Sequence, residues 1–295
     1  MDVSIIIVNY NTFYLTSRCI RSVYRYTSGL DFEVILVDNR SAECDADLFK
    51  KEFPGITLIK NLENLGFAKG NNMGIEVSKG DAILLLNSDT ELIENSVLMC
   101  YEKLKLLSTE TAIITCKLIY PDGLVQRQCS CFPGIANNLL ELTRLHKLFS
   151  RQKRAKIMLG FYFNHETDIM PDWVWGTFFM FKRDVIKSLP GKKLNEKYFM
   201  YCEDMKWCYD FWKIGKTIYY YAGTKVIHLV GQSVSESIFK IDSIIKNEMD
   251  FVAETHNRIY AFFYSIVKSL NVLFSSSRSN RIMYCKTYLK YAISK

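Results

Sequence analysis

Two stretches concentrate the side chains that could do chemistry. Asp81 to Leu92 reads Asp-Ala-Ile-Leu-Leu-Leu-Asn-Ser-Asp-Thr-Glu-Leu. The apolar residues Ala82 to Leu86 run without alternation, as in a strand buried on both faces. They stop on Asn87, Ser88, Asp89, Thr90 and Glu91, a cluster of oxygen donors that suits a hard divalent cation such as Mg²⁺ or Mn²⁺. Open α/β sheets bind ligands beyond the carboxyl ends of their strands. Alone, the cluster reads equally as a polar turn leading to a helix near Asn95. The second stretch, Asn195 to Asp204, ends on Glu203-Asp204 in the first turn of an amphipathic helix through Trp207, Phe211 and Ile214, closed by Gly215. Acids there also complement the helix dipole.

The elements that must position these residues alternate. Val3 to Val8 is an apolar run ended by Asn9-Tyr10-Asn11-Thr12, and Thr12 is expected to cap a helix with Leu15, Cys19, Ile20 and Val23 on one face. Strands follow at Glu33 to Val37, ended by Asp38-Asn39, and at Ile56 to Ile59. A helix over Leu48 to Phe53, stopped by Pro54-Gly55, lies between them. Asn61 to Gly74 is a Gly/Asn-rich loop turning into a helix. Strands alternating with helices imply a parallel sheet with helices on both faces. Its strands end in Asn9, Asp38 and Asn87 with Asp89, the polar groups of a nucleotide-type cleft. No Gly-x-Gly-x-x-Gly follows the first strand and no Walker lysine loop is present, which argues against a nicotinamide cofactor and a P-loop.

Further on, strands are expected at Ile113 to Ile119, Trp173 to Phe181, Ile218 to Tyr221 and Lys225 to Leu229, the last containing His228. Leu139 to Lys156 is a basic, partly amphipathic insertion. Ser235 to Glu254 has helical spacing, and Ile259 to Phe274 is a dense apolar helix, short for a membrane span and interrupted by Lys268. Arg278, Arg281, Lys286, Lys290 and Lys295 follow among tyrosines. That pattern suits an interfacial helix on an anionic leaflet; packing on the preceding α/β part of the chain or a dimer contact would look alike.

The 295 residues are 49% hydrophobic, ample for a core, and Lys+Arg exceed Asp+Glu by seven. A basic balance favours anionic small molecules, acidic membrane or nucleic acid. The basic residues cluster in two segments without an aromatic stacking motif, so no nucleic-acid partner is expected. Nine cysteines read as free thiols of a reducing compartment, and neither Cys129/Cys131 nor Cys202/Cys208 makes a zinc pattern. Met1-Asp2-Val3 leads straight into a strand without a basic n-region, so a cytoplasmic location is expected.

The succession Ile6-Ile7-Val8-Asn9-Tyr10-Asn11, Val37-Asp38-Asn39, Asn64-Leu65-Gly66-Phe67-Ala68, Leu86-Asn87-Ser88-Asp89, Trp175-Gly176, Tyr201-Cys202-Glu203-Asp204 and His228-Leu-Val-Gly231-Gln-Ser233 resembles the family 2 glycosyltransferases. Within them it is most similar to the branch holding bacterial rhamnosyltransferases of cell-surface polysaccharide assembly. The resemblance covers roughly residues 3–260.

It implies an α/β GT-A fold, with a mostly parallel central sheet flanked by helices and a C-terminal helical extension. The catalytic domain would be 1–234, divided near residue 118 into nucleotide-binding and acceptor halves. The helical, membrane-surface region would be 235–295. It further implies a nucleotide-diphospho-sugar donor, a divalent cation and an inverting mechanism. Tyr10 and Asp38 then sit where the family holds the nucleoside, and Lys69 near the Gly66 loop reaches the nucleotide. Asp89 matches the last acid of the Asp-x-Asp metal motif. Asn87 replaces the first acid and remains an oxygen donor or ribose contact. His228 completes the metal shell or is a satisfied core histidine. Asp204 matches the catalytic base, and Glu203 supports it or binds acceptor. Trp173 and Trp175, with Gly176, form a sugar platform or pack in the core.

The activity so implied is transfer of rhamnose from dTDP-rhamnose to a lipid-linked saccharide at the inner face of the cell membrane. A UDP-sugar donor and a non-catalytic nucleotide-sugar-binding protein are the alternatives.

Overall fold

The computed structural model describes residues 1–229, 238–274 and 281–293. Gly231, Gln232, Ser233, Ser235, Arg278 and Lys295, singled out in the sequence, lie outside the described residues. In chain order the elements are β1 (Val3–Asn9), α1 (Phe13–Tyr26), β2 (Phe32–Asp38), α2 (Asp47–Glu52), β3 (Thr57–Lys60), α3 (Gly66–Val77), β4 (Ala82–Leu86), β5 (Thr90–Leu92), α4 (Ser96–Leu106) and β6 (Thr111–Ile119). There follow α5 (Ile135–Leu142), α6 (Arg151–Met158), β7 (Phe178–Lys182), α7 (Arg183–Ile186), α8 (Glu203–Lys213), β8 (Thr217–His228), α9 (Ile238–Thr255), α10 (Arg258–Phe274) and α11 (Arg281–Ile293).

Two compact units result, one of Met1–Ser130 with Asn164–Ser233, the other of Cys131–Phe163 with Val234–Lys295. The first holds an eight-stranded sheet in the order β3-β2-β1-β4-β7-β6-β8-β5. Its β3-β2-β1-β4 half is wholly parallel, and beyond β4 the sheet is mixed, with β7 antiparallel to both its neighbours. Every residue of β1 and of β4 is buried, as unalternating apolar runs between two helical layers require. On one face Ile5, Ile7, Leu84 and Leu86 pack with Cys19, Ile20 and Val23 of α1.

Several local expectations change. Trp173 to Phe181 is not one strand: β7 begins at Phe178, and Trp173 makes only an isolated bridge to Ser130. The reason is that the Gly176 N–H donates to Asp204 Oδ2 at 3.1 Å instead of to a neighbouring strand. The two strands expected between Ile218 and Leu229 are a single strand, β8, whose irregularity appears as a register shift against β6 between Cys116 and Lys117. Thr12 does not cap α1 with its side chain, because its Oγ1 donates to Asn9 Oδ1 at 3.0 Å. The turn after Asn87 becomes the short strand β5, antiparallel to β8.

In the second unit, acids hold the helices together through hydroxyls. Glu248 of α9 accepts from Tyr264 of α10 and, at 3.0 Å, from Tyr288 of α11, while Asp242 accepts from Tyr291 at 2.6 Å. Asn271 of α10 donates to Glu141 of α5 at 2.6 Å. Among the described residues no helix is long and apolar enough to cross a membrane.

One loop contact has a sharp steric requirement. Gly66 has φ +80°, and a Cβ there would lie 2.5 Å from the Phe199 carbonyl oxygen, which also accepts from Phe67 N at 3.2 Å. Gly66→Ala is expected to lower stability by about 1–3 kcal/mol in chemical denaturation. An unchanged midpoint would contradict this packing.

Candidate functional site

The carboxyl ends of the parallel strands are tied by amides and hydroxyls. Asp38 Oδ1 accepts from Asn9 Nδ2 at 2.7 Å and Ser41 Oγ at 2.6 Å, and Oδ2 accepts from Ser41 N at 3.0 Å. Asn9 Oδ1 in turn accepts from Thr12 and Thr16, and Thr12 Oγ1 lies 3.3 Å from Ser88 Oγ. The end of β1 is thereby linked to the turn after β4. Asn39 Nδ2 donates to the Gly66 carbonyl at 3.0 Å and Asn39 Oδ1 accepts from Asn61, fixing the Gly/Asn-rich loop beside the same edge. Tyr10 and Lys69 are exposed and are not drawn into this network.

Asp89 and His228 meet because β5 pairs with β8 in a register that sets Thr90 opposite His228. Asp89 Oδ1 stands 3.3 Å from His228 Nε2, and both residues are buried. Gln126 decides the state of that imidazole. Its Nε2 donates to the His228 carbonyl at 2.8 Å, so its Oε1 is the atom 2.8 Å from His228 Nδ1. An amide oxygen only accepts; Nδ1 therefore carries a hydrogen, and Nε2 is the ring nitrogen that faces Asp89. Histidine ligands of metals are characteristically oriented by such a partner on the other ring nitrogen. Asn87 Oδ1, two residues before Asp89, is buried without a hydrogen-bond partner. A carboxylate, an imidazole nitrogen and an orphaned amide oxygen fit Mg²⁺ or Mn²⁺, whose remaining positions are commonly filled by substrate phosphates and water. Among the described residues no group of three His, Cys, Asp or Glu side chains forms a closed metal cage.

Asp204 and Glu203 open α8. The two preceding residues, Tyr201 and Cys202, have φ +69° and +67°, consecutive left-handed conformations that non-glycine residues rarely adopt. Such strain concentrates at functional sites. Asp204 Oδ1 accepts from Met205 N at 2.8 Å while Oδ2 accepts from Gly176 N. Burial pushes the Asp204 carboxyl above its usual range, and these two N–H groups hold the rise down. Glu203 is raised further, by burial and then by the Asp204 charge, and its Oε2 has no partner. Of the pair, Asp204 ionises first.

Three consecutive residues join the two centres. Trp175 is T-shaped against His228, with ring centroids 6.3 Å apart; Gly176 holds Asp204; Thr177 Oγ1 lies 3.5 Å from Asn87 Nδ2. Candidate metal ligands and candidate base thus flank one short segment.

The sequence model described as glycosyl transferase family 2 matches residues 4–189 of this chain. The chain belongs to glycosyl transferase family 2. This family 2 member is 27% identical over 217 residues to the low-salt glycan biosynthesis hexosyltransferase Agl10 of Haloferax volcanii, across 70% of this chain and 61% of that protein. It is 31% identical over 106 residues to the poly(ribitol-phosphate) beta-glucosyltransferase of Bacillus spizizenii, across 34% of this chain and 17% of that protein. It therefore spans less than two thirds of either relative. Its fold, GT-A, is shared with S. aureus TarS residues 1–349, at TM-score 0.52 and 13% identity over 95% of this chain and 74% of that one.

For this family 2 chain the structure groups Asp89, Asn87, His228, Trp175, Gly176, Asp204 and Glu203, and sets Asp38 among partners at the neighbouring strand ends. Gln126, Ser41 and Thr177 were missed by sequence reasoning. Gln126 follows the Pro121-Asp122-Gly123 turn outside any periodic run, and nothing in the sequence links it to His228. Trp175, half-buried against His228, both packs and presents a surface.

The raised Glu203 carboxyl has a consequence for stability. The native state keeps a proton that the unfolded chain loses above about pH 4.3. Stability is accordingly full below that pH and declines as pH rises towards and through the raised native value. Glu203→Gln, which cannot ionise, is expected to gain at least about 1 kcal/mol relative to wild type between about pH 5 and pH 9 in chemical denaturation. A pH-independent difference would contradict the assignment.

Proposed function

We propose that this chain is an inverting, Mg²⁺- or Mn²⁺-dependent glycosyltransferase that moves rhamnose from dTDP-rhamnose onto a lipid-linked glycan of cell-surface polysaccharide, working peripherally at the inner face of the cell membrane. The observation that carries this reading is the Trp175-Gly176-Thr177 segment, which puts donors suited to a cation–diphosphate on one side and a proton acceptor on the other. The names of the Haloferax and Bacillus relatives, a hexosyltransferase of glycan biosynthesis and a glucosyltransferase, support a sugar donor and a glycan acceptor. The choice of dTDP-rhamnose rests on the Asn64 to Asn72 loop and Trp175-Gly176; UDP-sugars are the runner-up.

Asp38 and Tyr10 hold the nucleoside, Asp38 through the lone pairs its protein partners leave free, and Lys69 contributes positive charge towards the phosphates. Asp89 and His228 hold the cation with Asn87 Oδ1 beside them. When bound, the cation neutralises charge developing on the departing diphosphate. Asp204 accepts the proton of the acceptor hydroxyl while that oxygen bonds to the anomeric carbon, opposite the breaking bond to the diphosphate. The Gly176 and Met205 N–H groups aim the carboxylate and favour its ionised form. Glu203, protonated over a wider pH range, supports the site as a neutral acid. Trp175 offers an aromatic wall to the sugar ring.

A panel of dTDP- and UDP-sugars with Mn²⁺, read as nucleotide release, tests this. Asp204→Asn is expected to reduce transfer by about 10²–10⁴-fold with donor affinity nearly unchanged. Asp89→Ala is expected to weaken metal-dependent nucleotide binding. With Asp204 raised, wild-type transfer falls on acidification at a pH above the usual aspartate value of about 3.9. Retention of most turnover by Asp204→Asn would sink the base assignment.

A further inference from the structure

Helix α10 has its polarity reversed. Its buried positions are Ala261, Tyr264, Ser265, Ser269 and Val272, mostly small or hydroxyl-bearing. Those hydroxyls point to partners inside the unit: Ser265 Oγ donates to the Phe262 carbonyl at 2.7 Å, Ser269 Oγ to the Cys285 carbonyl at 3.4 Å, and Tyr264 to Glu248. The exposed positions are Ile259, Phe262, Phe263, Leu270, Leu273 and Phe274, from 39% exposed at Leu273 to 72% at Ile259. At about 100° per residue these six fall within an arc of about 120°, a stripe running the length of the helix. A surface helix of a globular unit ordinarily shows the opposite arrangement.

Charge separates in the same way. The residues of this second unit carry 15 Lys and Arg against 6 Asp and Glu, while the rest of the chain carries 23 against 25. The whole positive excess of the protein therefore belongs to the unit that bears the apolar stripe. Within it an open groove is lined by Leu273, Ile282 and Met283 together with Arg281, Lys286 and Lys290. Its acid, Asp242, is already engaged by Tyr291 and Lys290.

We infer that the α10 stripe, with the basic residues of α11 that line the groove beside it, is a docking face for an anionic lipid bilayer, the stripe entering the headgroup–acyl boundary and the groove receiving lipid phosphates. A bilayer satisfies both features at once, apolar area below and negative charge around. Pairing with a second copy would cover the stripe only by bringing two strongly positive units together. Nucleic acid would meet the charge and leave the stripe uncovered. The 17-residue helix lies on the surface rather than spanning it, since Arg258 and Lys268 fall within it.

The inference deepens the proposal of a lipid-linked acceptor and rests on it only for its biological purpose, because the face is tested without donor or acceptor. The full chain is sedimented with phosphatidylcholine vesicles with and without about 30% phosphatidylglycerol. Binding at least tenfold stronger to the anionic vesicles is expected, weakening at high salt. Phe262→Glu with Phe263→Glu is expected to reduce it a further tenfold or more, with circular dichroism melts unchanged. Ile259→Gln, a milder change at the most exposed position, is expected to act in the same direction if the double variant melts early. Equal binding to neutral vesicles, binding indifferent to these substitutions, or a concentration-dependent dimer that they dissociate would each overturn the inference. Absent vesicle binding with nucleotide release intact rejects this face alone; vesicle binding without release from any donor rejects the transferase reading alone.

Discussion

Trp175, Gly176 and Thr177 touch His228, Asp204 and Asn87 in turn, and the arrangement of the site depends on how this segment is held. It cannot be regular strand, because the Gly176 N–H is spent on Asp204 Oδ2. It cannot wander, because the Thr177 carbonyl accepts from Asn87 N at 2.9 Å and the chain then enters β7 beside β4. A backbone donor aimed at a carboxylate is worth roughly twice a neutral hydrogen bond. The same bond that breaks the strand thus positions Asp204 and favours its charged form.

Around that segment, each polar group is fixed by elements chosen for other reasons. The buried parallel strands end together, so Asn9, Asp38 and Asn87 arrive at one edge and share hydrogen bonds rather than remaining desolvated. The β5–β8 ladder is only three residues long, yet a slip of one residue would turn Asp89 or His228 to the other face. Gln126, 1% exposed, prevents the imidazole from rotating or changing tautomer. The left-handed pair Tyr201-Cys202 stores strain immediately before the Glu203-Asp204 step, and packing of Phe199 on Gly66 helps retain it.

Much of this is legible in the sequence. Unalternating apolar runs mark β1, β2 and β4 as doubly buried, and the acids and amides at their ends locate the cleft, because strand direction and side-chain chemistry are both local. Glu203-Asp204 at a helix start was equally plain. What could not be read were the pairings that depend on non-local register: Asp89 with His228, Gln126 with that ring, and Gly176 with Asp204. Each needs two segments separated by 28 or more residues. A three-residue strand such as β5 leaves almost no periodicity to detect, and a glycine donating to a carboxylate leaves none. The reversed face of α10 was hidden for another reason: apolar density shows that a helix has a greasy face, and only packing shows which way it points.

A cation held by Asp89 and His228 would arrive with a nucleotide diphosphate. The direct measurement is the ¹⁵N-edited spectrum of the His228 ring during titration with Mn²⁺, with and without dTDP. Paramagnetic broadening of the His228 ring signals, strongest when nucleotide is present, is the predicted result. A His228 ring that stays sharp with both Mn²⁺ and dTDP present would contradict it.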